Sequence, residues 1–272
     1  MTEFEDYDFY EEIEGSREEY KYFEKAKNDI VDLYEKDKEA VYYLRQLQVK
    51  FEKKYFHWIT YHVIRYLHDS GKLDLKERNQ QDGTTRHFYI HPSNRYPIRK
   101  INRMEKLINE FSQEHITRSC GQRAEDLFRM GFQKFGFKVI GEDIKEFKGK
   151  KWKKSGHDLD FIFERDGIYY GCEVKNALGY IEKKELETKI EMCSFLGIVP
   201  LFIMRFAPKS YIEQVRREGG FCLLYKYQLY ELSQIYLVER IKKELDLPVG
   251  CPKAIEDGTI KRFENWHMRN LV

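Results

Sequence analysis

The dipeptide Asp166-Gly167 constrains this chain more than any other feature. It separates two runs rich in apolar and aromatic residues, LDFIFER (159–165) and IYYGCEVK (168–175). An Asp-Gly pair so placed is the commonest sequence for a two-residue type I′ hairpin turn. With these two residues at the centre of the turn, Arg165 faces Ile168 and the remaining pairs follow in register. Asp160 then faces Glu173, and Asp158 faces Lys175. Side chains alternate along a strand, so all four are expected on one face, toward the open end of the hairpin. Directly opposed Cβ atoms stand roughly 4.5–5.5 Å apart. Two carboxylates that close repel each other unless positive charge lies between them. A hard divalent cation, Mg2+ or Mn2+, suits such a place: it takes a few carboxylate oxygens, keeps several waters and accepts a phosphate oxygen. Lys175 either forms an ion pair with Asp158 or stabilises developing negative charge beside the cation.

Composition narrows the setting. The chain has 272 residues, 42% hydrophobic and 35% charged, enough for one large or two modest domains. No apolar run approaches the roughly 20 residues that cross a bilayer, and the chain opens with acids rather than a basic and then apolar leader. The expectation is a soluble, cytoplasmic protein. The five cysteines are widely spaced with no CxxC pair, which points to core thiols rather than a zinc site or a disulfide framework. Residues 1–20 hold nine acids and one base, a local charge of −8; the whole chain carries +2, so the remainder carries +10. The acidic start reads as a solvated tail, and the basic remainder suits a polyanion.

In the first hundred residues, 20–53 lack Pro and Gly and are expected to be helical. Ile59, Val63 and Leu67 then recur every four residues, making one buried helical stripe. Gly71 follows as a stop. LDLKERNQQDGTTRHFYIH reads as strand, polar turn with Asp82-Gly83, and returning strand. The order helix, stop, strand, hairpin resembles the second half of a winged helix-turn-helix. Phe56–Asp69 stands in the place of the recognition helix and Asn79–Thr85 at the wing tip. That resemblance implies DNA contact by Thr60, Tyr61 and Arg65 and by the wing-flanking Lys76, Arg78 and Arg86. The bland alternative is a helix and hairpin used only for packing.

Residues 98–113 are expected to be helical, with 101–113 connecting two halves. SCGQRAEDLFRMGFQKFGF (119–137) is an amphipathic helix with Ala124, Leu127, Phe128 and Phe135 on one side. FKVI (137–140) reads as a strand. IKEFKGKKWKK (144–154) carries Lys148, Lys150, Lys151, Lys153 and Lys154 among its six lysines. After the hairpin, IEKKELETKIEMCSFLGI is a helix, and VPLFIMRF and FCLLYKY are apolar enough to be buried strands. The sum is an α/β fold: a mixed sheet flanked by helices.

Asp160, then Glu173-Val174-Lys175 after a hairpin, with GQRAE (121–125) on a preceding helix, resembles the PD-(D/E)XK nuclease superfamily. The likeness covers about half the chain (117–230), within a nuclease domain expected over 114–250, and its flavour is that of archaeal Holliday junction resolvases and some restriction endonucleases. The resemblance implies a restriction endonuclease-like core. It gives Asp160, Glu173 and Glu125 as metal ligands, Lys175 as the lysine of the motif, and Mg2+ or Mn2+ as cofactor. It also implies hydrolysis of a DNA phosphodiester. Leu159 stands where the family commonly has proline, which makes Asp158 a rival to Asp160; the register favours Asp160. Lys189 on the next helix is a candidate assisting base. The lysines of 148–154 are expected to hold phosphates by charge, and double-strand cutting implies a homodimer. Residues 251–272 read as an extension. The rival reading, from a different class, is a non-catalytic winged-helix DNA-binding regulator whose α/β half is a relic used for dimerisation. Other chemistries lack their motifs: His57 and His62 do not make HExxH, and no GxxxxGK[ST] loop is present.

Overall fold

A computed structural model describes residues 17–80 and 83–270, with side chains from residue 21. Most of the acidic start, and Asp82 of the expected turn, lie outside them. The chain divides into two compact units: Met1–Glu110 with Lys243–Leu247, and Phe111–Lys242 with Pro248–Val272.

The first unit runs α1 (Arg17–Lys36), β1 (Val41–Tyr43), α2 (Leu44–Phe51), α3 (His57–Asp69), β2 (Asp74–Asn79), β3 (Thr85–Ile90) and α4 (Ile98–Phe111). The three strands form an antiparallel sheet in the order β1-β3-β2. Its core holds the expected stripe of Ile59, Val63 and Leu67, joined by Ile30, Tyr34 and Leu47. Gly71 takes φ 71° just beyond α3, the left-handed conformation that a stop requires. The β2–β3 turn includes Gly83 at φ 80°.

The second unit runs α5 (Glu114–Lys134), β4 (Lys138–Ile144), β5 (Glu146–Phe147), β6 (Lys150–Lys151), β7 (Leu159–Arg165), β8 (Ile168–Lys175), α6 (Lys183–Leu196), β9 (Val199–Met204), α7 (Lys209–Arg217) and β10 (Phe221–Leu224). Then come β11 (Gln228–Leu229), α8 (Ile235–Leu245), β12 (Val249–Gly250) and α9 (Asp257–Arg269). Five strands form one mixed sheet in the order β10-β9-β8-β7-β4. Strands β4, β7 and β8 are antiparallel neighbours, whereas β8, β9 and β10 are parallel. Parallel neighbours need a crossover, and α6 and α7 provide the two. The helical stretch at 209–217 had no counterpart in the reading of the sequence.

Both faces of the sheet are covered. On β9, Leu201 and Ile203 join a cluster with Leu127 and Phe128 of α5, while Phe202 and Met204 join Leu186 and Ile190 of α6. A strand buried on both faces has no polar alternation to show, hence the continuous apolar run VPLFIM. The C-terminal helix is not an appendage. Phe263 of α9 is fully buried, with ring centroids 5.4 Å from Phe132, 5.1 Å from Phe137 and 5.0 Å from Tyr170. Nearby, His267 lies between the Tyr170 hydroxyl at 2.6 Å and the Asp166 carboxylate at 2.9 Å. Phe263→Ala should therefore cost about 3–5 kcal/mol of stability. Urea unfolding followed by circular dichroism should show a lower midpoint with an unchanged slope.

Candidate functional site

The hairpin turn is as the Asp-Gly pair implies: φ is 53° at Asp166 and 79° at Gly167, both in the left-handed region of a type I′ turn. Arg165 pairs with Ile168, and the register holds from there to Phe161 and Cys172. At Asp160 the regular pattern stops. Leu159 packs in the same cluster as Ile162 rather than on the face of Phe161, so alternation is broken there. The Asp160 carboxylate, not its backbone, continues the link across the strands by accepting the Val174 N–H at 2.6 Å. Asp160 is thus tied to the strand of Glu173 by a side-chain contact, in place of the expected backbone pairing of Asp160 with Glu173.

Glu173 is 6% exposed. β8 is the central strand of five, and Gly171, two residues before Glu173, lets α6 lie close over this face. A Cβ on Gly171 would fall 2.8 Å from Cys193 Sγ and 2.8 Å from Ile198 Cδ1. That close approach brings Lys189 of α6, itself 4% exposed, to 2.5 Å from Glu173 Oε2. Lys175 does not meet Asp158. Its Nζ is 3.1–3.2 Å from both carboxylate oxygens of Glu185, one helical turn before Lys189. The spacings match: two strand residues advance roughly 6.6 Å, and four helical residues roughly 6 Å. Glu173 and Lys175 on the strand therefore face Lys189 and Glu185 on the helix, with opposite signs in each pair. Asp158 is served by Lys189 instead, through its backbone carbonyl and, at 3.9 Å, its carboxylate.

The electrostatics show a shortage of positive charge. Burial, then the Asp160 charge, pushes Glu173 up to about 8 against the pull of Lys189. Burial, then Asp160, raises Glu125 of α5 to about 7. Burial also raises Asp160, opposed by the Val174 N–H and by Lys189. Burial works against the Lys189 ammonium, yet Glu173 outweighs it and holds that group above its ordinary value. Three carboxyls, those of Glu173, Asp160 and Asp158, thus act on one buried ammonium, and Glu125 lies in the field of Asp160. Among the described residues, no three His, Cys, Asp or Glu side chains are gathered closely enough to hold a metal ion as they stand. The chemistry of the donors nonetheless fits a hard cation: the carboxylates of Asp160, Glu173 and Glu125 are partly desolvated, and each is raised by burial and by a neighbouring acid.

Two further residues belong to this end of the sheet. Asp143 on β4 falls between the pairs Glu142–Phe161 and Ile144–Leu159, beside Asp160. It takes φ 51°, and its charge adds to the rise of Glu125 and Asp160. The sequence cue is slight: an Asp tolerates that conformation better than most residues. Asn176 directly follows Lys175. Its amide donates to the carbonyls of Cys120 at 2.7 Å and Leu229 at 2.8 Å, and its oxygen accepts from Leu229 N–H at 2.8 Å and Tyr225 O–H at 3.1 Å. That is the full capacity of an asparagine side chain. It ties the end of β8 to α5, the helix that carries Glu125.

The expected DNA-contacting residues are distributed as follows. In α3, Thr60 is fully buried, because Thr60 and Ile64 face inward beside the stripe of Ile59, Val63 and Leu67. It does not face outward as the helical pattern suggested. Arg65 is exposed and lies 5.9 Å over the half-buried Tyr61 ring. Lys76 is half-buried opposite Phe88, Arg78 is 3.6 Å from Glu105, and Arg86 bonds Asn109. In the lysine-rich segment, Lys148, Lys150, Lys151, Lys153 and Lys154 are all exposed. Lys148 lies 3.8 Å over the Tyr169 ring, Lys151 is 3.6 Å from Glu146, and Lys154 meets Glu191. Tyr169 adjoins the turn end of the hairpin, opposite to the end that carries Asp160.

No protein-family model, no curated protein and no solved structure matches this chain. No helix among the described residues is long and apolar enough to cross a membrane.

The raised carboxyls fix a pH dependence. A group whose folded pKa exceeds its unfolded value holds a proton in the folded state that the unfolded chain has released, so stability falls as pH rises through the interval. For Glu125 the interval runs from about 4.5 to about 7. In chelator, wild type should therefore lose stability relative to Glu125→Gln across that window. Urea unfolding of both proteins at pH 5, 6, 7 and 8 measures the difference; a difference that stays constant with pH would show that Glu125 does not share this field.

Proposed function

We propose that this protein is a metal-dependent DNA endonuclease with a PD-(D/E)XK-like catalytic unit and a winged-helix-like unit that grips duplex. One observation carries the reading: the Asp160 carboxylate accepts the Val174 N–H next to Glu173, and its charge raises both Glu173 on β8 and Glu125 on α5. Support also comes from the element order of the second unit, helix, three antiparallel strands, helix and parallel strand. In the first unit, the order helix, strand, two helices and hairpin, with the sheet β1-β3-β2, supports a winged helix.

Asp160 and Glu173, with Glu125, would hold Mg2+ or Mn2+, which when bound supplies charge neutralisation and a water of lowered pKa. The chain's own groups do the rest. The Val174 N–H orients the Asp160 carboxylate, leaving its other oxygen directed elsewhere. Asn176 holds α5 against β8 and so sets the place of Glu125. Lys175, poised by Glu185, stabilises negative charge on the phosphate in the transition state. Arg65 and the exposed lysines of 148–154 attract DNA backbone by charge. Cutting of both strands calls for two copies of the chain.

A plasmid-nicking assay with Mg2+ or Mn2+ tests the reading. Cleavage should appear with metal, vanish with chelator, and fall by roughly 10²-fold or more in Asp160→Asn, as when a main electrostatic element of a site is removed. Absence of cleavage under all these conditions, with DNA still bound, would favour the second reading, a non-catalytic DNA-binding regulator. One observation favours that alternative: Glu173 already has a buried counter-charge in Lys189. For Lys175, single-turnover cleavage by Lys175→Ala should slow by roughly 10²–10³ with DNA affinity in a filter-binding curve unchanged. A normal rate would confine Lys175 to its ion pair with Glu185.

A further inference from the structure

Lys189 lies within reach of two carboxylates, only one of which it bonds. It touches Glu173 Oε2 at 2.5 Å, bonds the Asp158 carbonyl, and lies 3.9 Å from Asp158 Oδ1. The two acids differ sharply in setting: the Glu173 side chain is 8% exposed and that of Asp158 is 41% exposed. A buried carboxylate left without a counter-charge is strongly destabilising, whereas a half-exposed one is solvated at little cost. Lys189 is therefore held where the need is greatest, with a second carboxylate within a short side-chain movement. From this arrangement we infer that Lys189 is a displaceable internal counter-ion. It neutralises Glu173 while the site lacks a cation, and passes to Asp158 when a divalent cation takes Glu173.

The inference rests on the proposed metal site and assigns two residues that the site reading leaves without a task. Lys175 is no substitute: it is occupied by Glu185 at 3.1 Å, and its pair does not involve an expected ligand of the cation. The exchange costs little because the ammonium keeps its bond to the Asp158 carbonyl throughout and only changes carboxylates. It also keeps the fold intact in the absence of metal, since Glu173 is never left alone.

Calorimetric titration of the full chain with Mn2+ tests the exchange. Lys189→Met removes the competitor and should bind Mn2+ roughly tenfold more tightly than wild type, the order expected when a neighbouring positive charge is lost. Lys189→Arg keeps the competitor and should not tighten binding. Asp158→Asn removes the alternative acceptor and should weaken binding by about threefold in wild type, the scale of a partly exposed pair. That effect should disappear in the Lys189→Met background. A direct field effect of Asp158 on the cation would persist there, and would overturn the exchange. Equal or weaker Mn2+ binding by a folded Lys189→Met protein also overturns it while leaving the metal site standing. Absence of Mn2+ binding in every variant overturns the exchange and the nuclease reading together. If Lys189→Met does not fold, Asp158→Asn decides on a folded protein: unchanged affinity overturns the exchange.

Discussion

Glu173 is carried into the interior by the central strand of the sheet, and the polar features around it answer that one charge. Its burial is imposed by neighbours on both sides, β7 and β9, and by α6 lying across the face. A carboxylate so placed needs a partner within reach. Lys189 provides it because Gly171 removes the side chain that would otherwise keep α6 away from the strand. The same approach brings Glu185 to Lys175, so strand and helix are joined by two ion pairs of opposite polarity. A shift of α6 by one turn would set like charges against each other, and the pairing therefore fixes the position of the helix along the strand as well as neutralising it.

Around this pair, backbone groups are satisfied by side chains rather than by regular ladder. The hairpin ladder ends at Phe161 and Cys172, and the Asp160 carboxylate takes the next N–H. Beyond β8, Asn176 joins Cys120, Leu229 and Tyr225, and the buried Arg205 donates to the carbonyls of Ala177 and Leu178. These contacts let the chain leave the sheet at a sharply defined place without orphaned polar groups. They also leave several acids gathered at one end of the sheet, among which burial and neighbouring charge raise Glu125, Asp160 and Glu173. Such local excess of one charge sign is unfavourable for folding alone, and sites of this kind are where function is commonly found.

The legibility of each feature in the sequence follows the range of the interaction behind it. The Asp166-Gly167 turn depends on residues adjacent in the chain and appears as the sequence implies, and the register it sets holds as far as Phe161 and Cys172. Thr60 is a boundary case: helical spacing identifies the inward stripe of Ile59, Val63 and Leu67, but only the surroundings of α3 reveal that Ile64 and Thr60 face inward as well. Asp143 and Asn176 gave still weaker signals, since their parts depend on strands and helices distant in sequence.

What the sequence determined by itself is therefore the hairpin, its register as far as Phe161 and Cys172, and the amphipathic helices, all set by turn chemistry and by periods of two and 3.6. The tertiary structure decided which lysine meets which acid. From the hairpin alone, Lys175 belongs opposite Asp158. In the folded unit it turns to Glu185, and Lys189, sixteen residues from Glu173, takes the buried carboxylate. It also decided that the last helix is core, through Phe263 and His267. The reason is the same in both cases: burial of a charge or a ring is a property of everything that closes over it, and no local pattern records what will arrive from elsewhere in the chain.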